Sequence, residues 1–151
     1  MIAYTVRPAQ PHDVENLVEL CAEHAAFERA PYDARGKTKS LTAALFGTSP
    51  KVWAWVATIE DKAVGYSTAT EEFSTWSAAP YLHMDCLFVR PGHRDGGIGA
   101  ALMGAVLRCA RERSLPEVQW QTPVWNSDAH RFYLRSGATA HEKNRYSLPI
   151  E

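Results

Sequence analysis

The run from Leu87 to Leu102 gathers the residue types that could grip a phosphate. It reads Leu87-Phe88-Val89-Arg90-Pro91-Gly92-His93-Arg94-Asp95-Gly96-Gly97-Ile98-Gly99-Ala100-Ala101-Leu102. An apolar strand ends there, an arginine and several glycines follow, and an amphipathic helix opens. Glycines let main chain approach a ligand closely, and the unpaired N–H groups of a helix start attract phosphate oxygens. The spacing fits a phosphorylated ligand held by backbone amides; the alternative is an ordinary glycine-rich turn. Two commoner phosphate loops do not fit. A dinucleotide fold wants G-x-G-x-x-G, and counting from Gly97 puts Leu102 at the third glycine. A Walker A loop wants G-x-x-x-x-G-K-[ST]; Gly36-Lys37-Thr38 supplies its tail, but Pro31 stands where the first glycine belongs.

A second feature is Asp85, set among Met84, Cys86 and Leu87 in an apolar segment. A carboxylate in such surroundings calls for a partner or a task. Strand alternation predicts Asp85 on the same face as Leu87 and Val89.

The elements that must position these residues follow from periodicity. Ile2–Val6 reads as a strand. A helix starts at Pro11-His12-Asp13 and runs to about Glu28, with Val14, Leu17, Val18 and Cys21 on its apolar side. Ser40 can cap a short helix ending near Gly47. Val52–Ile59 and Ala63–Thr70 read as a hairpin turning at Glu60-Asp61-Lys62. Tyr81–Val89 is a long strand, and Ile98–Arg113 a helix with Ile98, Leu102, Ala105, Val106 and Cys109 on its apolar stripe. Glu117–Thr122 reads as a strand, Ser127–Ser136 as a helix stopped by Gly137, and Arg145–Ile150 as a last strand. This order predicts an α/β protein with a mixed sheet, the strands flanking the Ile98 helix lying parallel. A single domain spanning residues 1–151 is expected.

Composition narrows the classes. With 46% hydrophobic and 22% charged residues in 151, the chain is globular in type. A net charge of −1 argues against a nucleic-acid surface built on bulk charge. Three cysteines without C-x-x-C and six histidines without H-x-x-x-H argue against a disulfide framework and a metal site, so no metal is expected. No apolar leader or 18-residue apolar run is seen. The expectation is a cytoplasmic protein with no membrane or nucleic-acid partner.

Arg94-x-x-Gly97-x-Gly99 resembles the acetyl-CoA-binding motif [RQ]-x-x-G-x-[GA] of the GNAT superfamily of N-acetyltransferases. The element order is similar too, implying a GNAT acyl-CoA N-acyltransferase fold: a central mixed sheet with helices on both faces and two parallel strands splayed around a cleft. Four segments resemble the diamine (spermidine/spermine-type) N-acetyltransferases: Val6-Arg7-Pro8-Ala9 with Asp13, Ala25-Ala26-Phe27-Glu28, Asp85-Cys86-Leu87-Phe88-Val89, and Trp125-Asn126 followed by Phe132-Tyr133-Leu134-Arg135-Ser136-Gly137-Ala138. Two departures concern the acceptor. The family's strand glutamate is Asp85 here, followed by Cys86 in place of an acid, and Gln121-Thr122-Pro123-Val124 stands where relatives are usually more apolar or acidic.

The resemblance implies acetyl-CoA as cofactor, held by Leu87, Phe88, Val89, Arg94, Asp95, Gly96, Gly97, Ile98, Gly99, Ala100, Asn126 and Tyr133. Leu87 N–H would face the thioester carbonyl. Tyr133 would act as general acid toward the departing thiolate, and Asp85 would draw the proton from the amine through a water. Phe27, Glu28, Trp76 and Asp85 would bind a small primary amine, a diamine or polyamine, in a direct transfer. Core packing, helix-end solvation and in-sheet pairing are the competing readings of these residues. A homodimer is implied as well. Other amines (an amino-acid side chain, an aminoglycoside, a protein lysine), a non-catalytic acyl-CoA sensor and a dinucleotide module are the alternatives.

Overall fold

The computed structural model describes residues 2–151, which form two compact units, one ending at Gln121 and the other Thr122–Glu151. The first holds β1 (Thr5–Pro8), α1 (Val14–Phe27), α2 (Lys37–Phe46), β2 (Trp53–Ile59), β3 (Lys62–Ser74), β4 (Ala79–Val89), α3 (Ile98–Glu112) and β5 (Val118–Gln119). The second holds α4 (Ser127–Arg135). The strands lie in the order β1-β2-β3-β4-β5, antiparallel except for the parallel pair β4–β5. The expected α/β mixed sheet is therefore present.

Consecutive residues of β3 show how the sheet is covered. Tyr66 points into a core with Val14, Leu17 and Leu20 of α1, Leu45 of α2 and Phe88 of β4. Its neighbour Ser67 points the other way and donates to the Leu102 carbonyl of α3 at 3.2 Å. All five residues of the expected α3 stripe are buried. At Gly65 a Cβ would lie 2.8 Å from the Phe88 carbonyl oxygen and 3.2 Å from Leu102 Cδ1, so only glycine lets α3 lie this close. The β2–β3 hairpin turns at Glu60 and Asp61, both with positive φ (50° and 63°), as the right-handed twist of a two-residue loop requires.

Several expected boundaries move. β1 begins at Thr5, where pairing with Thr58 begins, and Ile2 lies outside it. Gly36 at φ 74°, not Ser40, precedes α2, and the Ser40 amide makes its first-turn bond to the Gly36 carbonyl. β5 shrinks from Glu117–Thr122 to Val118–Gln119. Arg145–Ile150 is not a strand. Its alternating Tyr146, Leu148 and Ile150 are exposed, and a period-two pattern makes a strand only where an edge is there to pair with. Among the described residues no helix is long and apolar enough to cross a membrane.

Asp13, 3% exposed, ties the entry of α1 to β1. Arg7 donates to both its oxygens (2.7 and 3.0 Å), and the Gln10 amide donates at 2.7 Å. Burial alone would raise the Asp13 carboxyl; the Arg7 and Gln10 bonds outweigh it and hold the group below the usual carboxylate range. A lowered folded value stabilises the protein above the unfolded value, about 3.9, and that stability is lost as pH falls through the folded one. Asp13→Asn is expected to cost about 2 kcal/mol at pH 7. In urea unfolding, the gap between the two proteins should close in strong acid.

Candidate active site

The segment after β4 is shaped by its own sequence. His93 N–H donates to the Arg90 carbonyl at 3.1 Å, with Pro91 and then Gly92 (φ 91°) between them, the arrangement of a type II turn. Arg90 ties this turn to β3, donating from its backbone to the Val64 carbonyl (2.8 Å) and from its side chain to the Ala63 carbonyl (2.6 Å). Asp95 and Gly97 then take positive φ values of 64° and 90°, and α3 begins. The Ala101 amide is bonded to the Gly97 carbonyl, which leaves the amides of Ile98, Gly99 and Ala100 as the unpaired first-turn donors. No side chain caps this end and no acid lies in its first turn. A Cβ at Gly92 or Gly96 would meet nothing within 4 Å, so the loop borders open space. These features fit a diphosphate, drawn by amides and helix dipole.

β4 runs alongside β3 for its whole length, but β5 accompanies it only at Leu82↔Val118 and His83↔Gln119. From Met84 to Val89 it continues beyond that partner, which matches the expected splay. The β3–β4 ladder pairs Ala69 with Met84 and Thr68 with Cys86, so Asp85 is the extra residue of a β-bulge. This corrects the expected alternation. Asp85 does not share a face with Leu87 and Val89. Its carboxylate lies beside Cys86 Sγ (3.9 Å), on the side of the α1 core, and 3.6 Å from His83 Nε2. The side chain is 64% exposed.

Glu28 follows the last turn of α1, and its Oε2 lies 2.7 Å from His24 Nε2. The other imidazole nitrogen, Nδ1, is 2.8 Å from the Tyr66 hydroxyl, and the ring stacks on Phe88 at 5.0 Å. Phe27 turns its ring toward the Arg94 guanidinium (4.6 Å), which also lies over Phe88 (5.5 Å) and donates through Nε to the Val89 carbonyl (2.8 Å). Phe27, Phe88 and Arg94 are thus brought together at one end of β4. Trp76 is not gathered with them. It lies in the β3–β4 turn, 95% exposed, and the strand from Ala79 to Asp85 alone spans about 20 Å.

Burial pushes the thiols of this region up, Cys86 to about 12 with Asp85 adding to the effect, and Cys21 in the same direction. Cys109, on the buried face of α3, is raised for the same reason. Such thiols are poor nucleophiles at neutral pH.

In the second unit, Asn126 caps α4, accepting from the Ala129 amide at 3.4 Å and donating to Thr122 Oγ1 at 3.4 Å. Tyr133 is half-buried in the last turn of α4, its ring 5.3 Å from that of Phe132. Gly137 (φ 95°) ends the helix as expected, with Gly137 N–H bonded to Leu134 O and Ala138 N–H to Tyr133 O, a Schellman closure. His24 and Tyr66 are the polar residues that the sequence reading passed over. The i,i+4 spacing of His24 and Glu28 was the available signal. Among the described residues no His, Cys, Asp and Glu cluster could hold a metal ion.

The model of the acetyltransferase (GNAT) family matches residues 13–138. The thialysine N-epsilon-acetyltransferase of Caenorhabditis elegans is 26% identical over 123 residues, covering 82% of this chain and 75% of its own. That of Bos taurus is 26% identical over 141 residues, covering 88% and 82%. Among solved structures, an aminoglycoside acetyltransferase from an uncultured soil metagenomic sample superposes with a TM-score of 0.80 at 21% identity, over 98% of this chain and 96% of that one. The phosphate-fitting loop, the parted parallel strands and the family match have one meaning: this chain belongs to the acetyltransferase (GNAT) family and is an N-acetyltransferase.

Proposed function

We propose that the chain transfers acetyl from acetyl-CoA directly to a primary amine of a small diamine or polyamine. The observation that carries this reading is the bulge at Asp85, which sets an exposed carboxylate on the strand that leads into the diphosphate-fitting loop. The amides of Ile98, Gly99 and Ala100 hold the diphosphate, and Arg94 stands beside them. Acetyl-CoA supplies an acetyl group activated as a thioester. Asp85 takes a proton from the ammonium, through a water, so that a neutral nitrogen can attack. Leu87 N–H would face the thioester carbonyl, and Tyr133 would serve as general acid toward the departing thiolate. The raised thiols support direct transfer without an acyl-cysteine step.

A second acceptor is favoured by the relatives. Both are named for the ε-amine of thialysine, an amino acid, which is likewise a primary amine on a short chain. Thiol release with acetyl-CoA and a panel of diamines, polyamines, thialysine, lysine and aminoglycosides separates these acceptors. Diamines are expected to give the highest kcat/KM. Gly97→Val adds a branched side chain at φ 90°, where even a Cβ would lie 3.3 Å from Tyr4 Oη. It is expected to raise KM for acetyl-CoA about tenfold, while KM for the amine holds. Turnover of an aminoglycoside in preference to every diamine would overturn the acceptor assignment, and an unchanged KM for acetyl-CoA would overturn the loop's role.

A further inference from the structure

Resting on the amine-acceptor reading above, we propose that His24 is a positioning residue. It holds the Glu28 carboxylate for the second, cationic nitrogen of the acceptor without cancelling its charge, and so selects diamines over monoamines.

The geometry fixes where the imidazole hydrogen sits. Nε2 lies 2.7 Å from Glu28 Oε2. A lone pair there would face another acceptor, so Nε2 carries the hydrogen and donates. Nδ1, 2.8 Å from the Tyr66 hydroxyl, is then the acceptor of the neutral ring. Tyr66 is 1% exposed, and burial, with the nearby Cys86 and Cys21 adding, pushes its phenol far above the usual range. It therefore remains an O–H donor.

Stacking on Phe88, at 5.0 Å and 18°, sets the plane of the ring. The side chain of His24 is 14% exposed and that of Glu28 32%, so the clamp is mostly covered while the carboxylate keeps an open side. A neutral donor leaves Glu28 its full charge. An arginine or lysine in the same place would have neutralised it. A carboxylate so held, beside a helix C-terminus whose dipole is itself negative, favours a cation.

The test compares 1,3-diaminopropane with n-propylamine at saturating acetyl-CoA, in wild type, His24→Leu, His24→Gln, Glu28→Gln and the double variant His24→Leu/Glu28→Gln. His24→Leu is expected to raise KM for the diamine about tenfold, with kcat, KM for acetyl-CoA and KM for propylamine each within about twofold. His24→Gln, which offers an N–H at the place of Nε2, should recover KM to within about threefold. Because His24 acts through Glu28, the double variant should be no worse than Glu28→Gln alone.

The proposal falls if His24→Leu leaves the diamine KM unchanged, raises both amines equally, or adds to Glu28→Gln. Should the leucine variant not fold, His24→Gln decides: a diamine KM as poor as that of Glu28→Gln overturns the clamp, and one near wild type supports it. If wild type acetylates no diamine, the acceptor reading fails and takes this one with it. Diamine turnover indifferent to His24 removes this proposal alone.

Discussion

Asp85→Asn is expected to lower kcat/KM for a diamine about 100-fold at pH 7. Asparagine matches aspartate in shape but cannot accept a proton. An alkylamine with a pKa near 10 is then neutral in only about one molecule in a thousand at pH 7. Each unit of rising pH raises that fraction about tenfold until the amine's own pKa is reached. The variant's log kcat/KM should therefore climb with a slope near one between about pH 7 and 9, where wild type is flatter. The two profiles converge in alkali. A deficit that stays the same at every pH would show that Asp85 orients the acceptor and does not deprotonate it.

Tyr133→Phe is the second large effect. Removing the hydroxyl from a proposed proton donor is expected to lower kcat about 100-fold, with KM for acetyl-CoA and for the amine nearly unchanged. The Schellman closure runs through the Tyr133 carbonyl and not its ring, so α4 should end in the same place in the variant. Wild-type kcat in Tyr133→Phe would assign the proton to another group.

What the sequence disclosed, and what it concealed, divides along the range of the interactions. The α3 stripe and the glycines of the loop are local signals, since helix periodicity and positive φ are written into neighbouring residues. The Asp85 bulge is not local. It exists because the β3–β4 ladder slips between Thr68 and Ala69, and nothing beside Asp85 announces the slip. His24 and Tyr66 meet across 42 positions, so only half of their arrangement, the spacing to Glu28, was visible in one helix. Arg145–Ile150 misled for the opposite reason. Its alternation is real, but a strand is a property of two segments, and this one has exposed Tyr146, Leu148 and Ile150 to show for the pattern. The glycine loop and the helix it opens were thus readable in outline. The contacts of His24 and the face of Asp85 depend on strands and helices far apart in the chain.

The surplus residue in β4 has a consequence for how such a site can change. Since Asp85 opposes no residue of β3, its side chain is not one of the cross-strand pairs that hold the sheet together. Its acidity, length or identity can be altered with little cost to the scaffold, and Asp85→Asn should melt close to wild type. A lineage adapting to a new amine could revise the proposed proton acceptor there while the architecture beneath stays as it was.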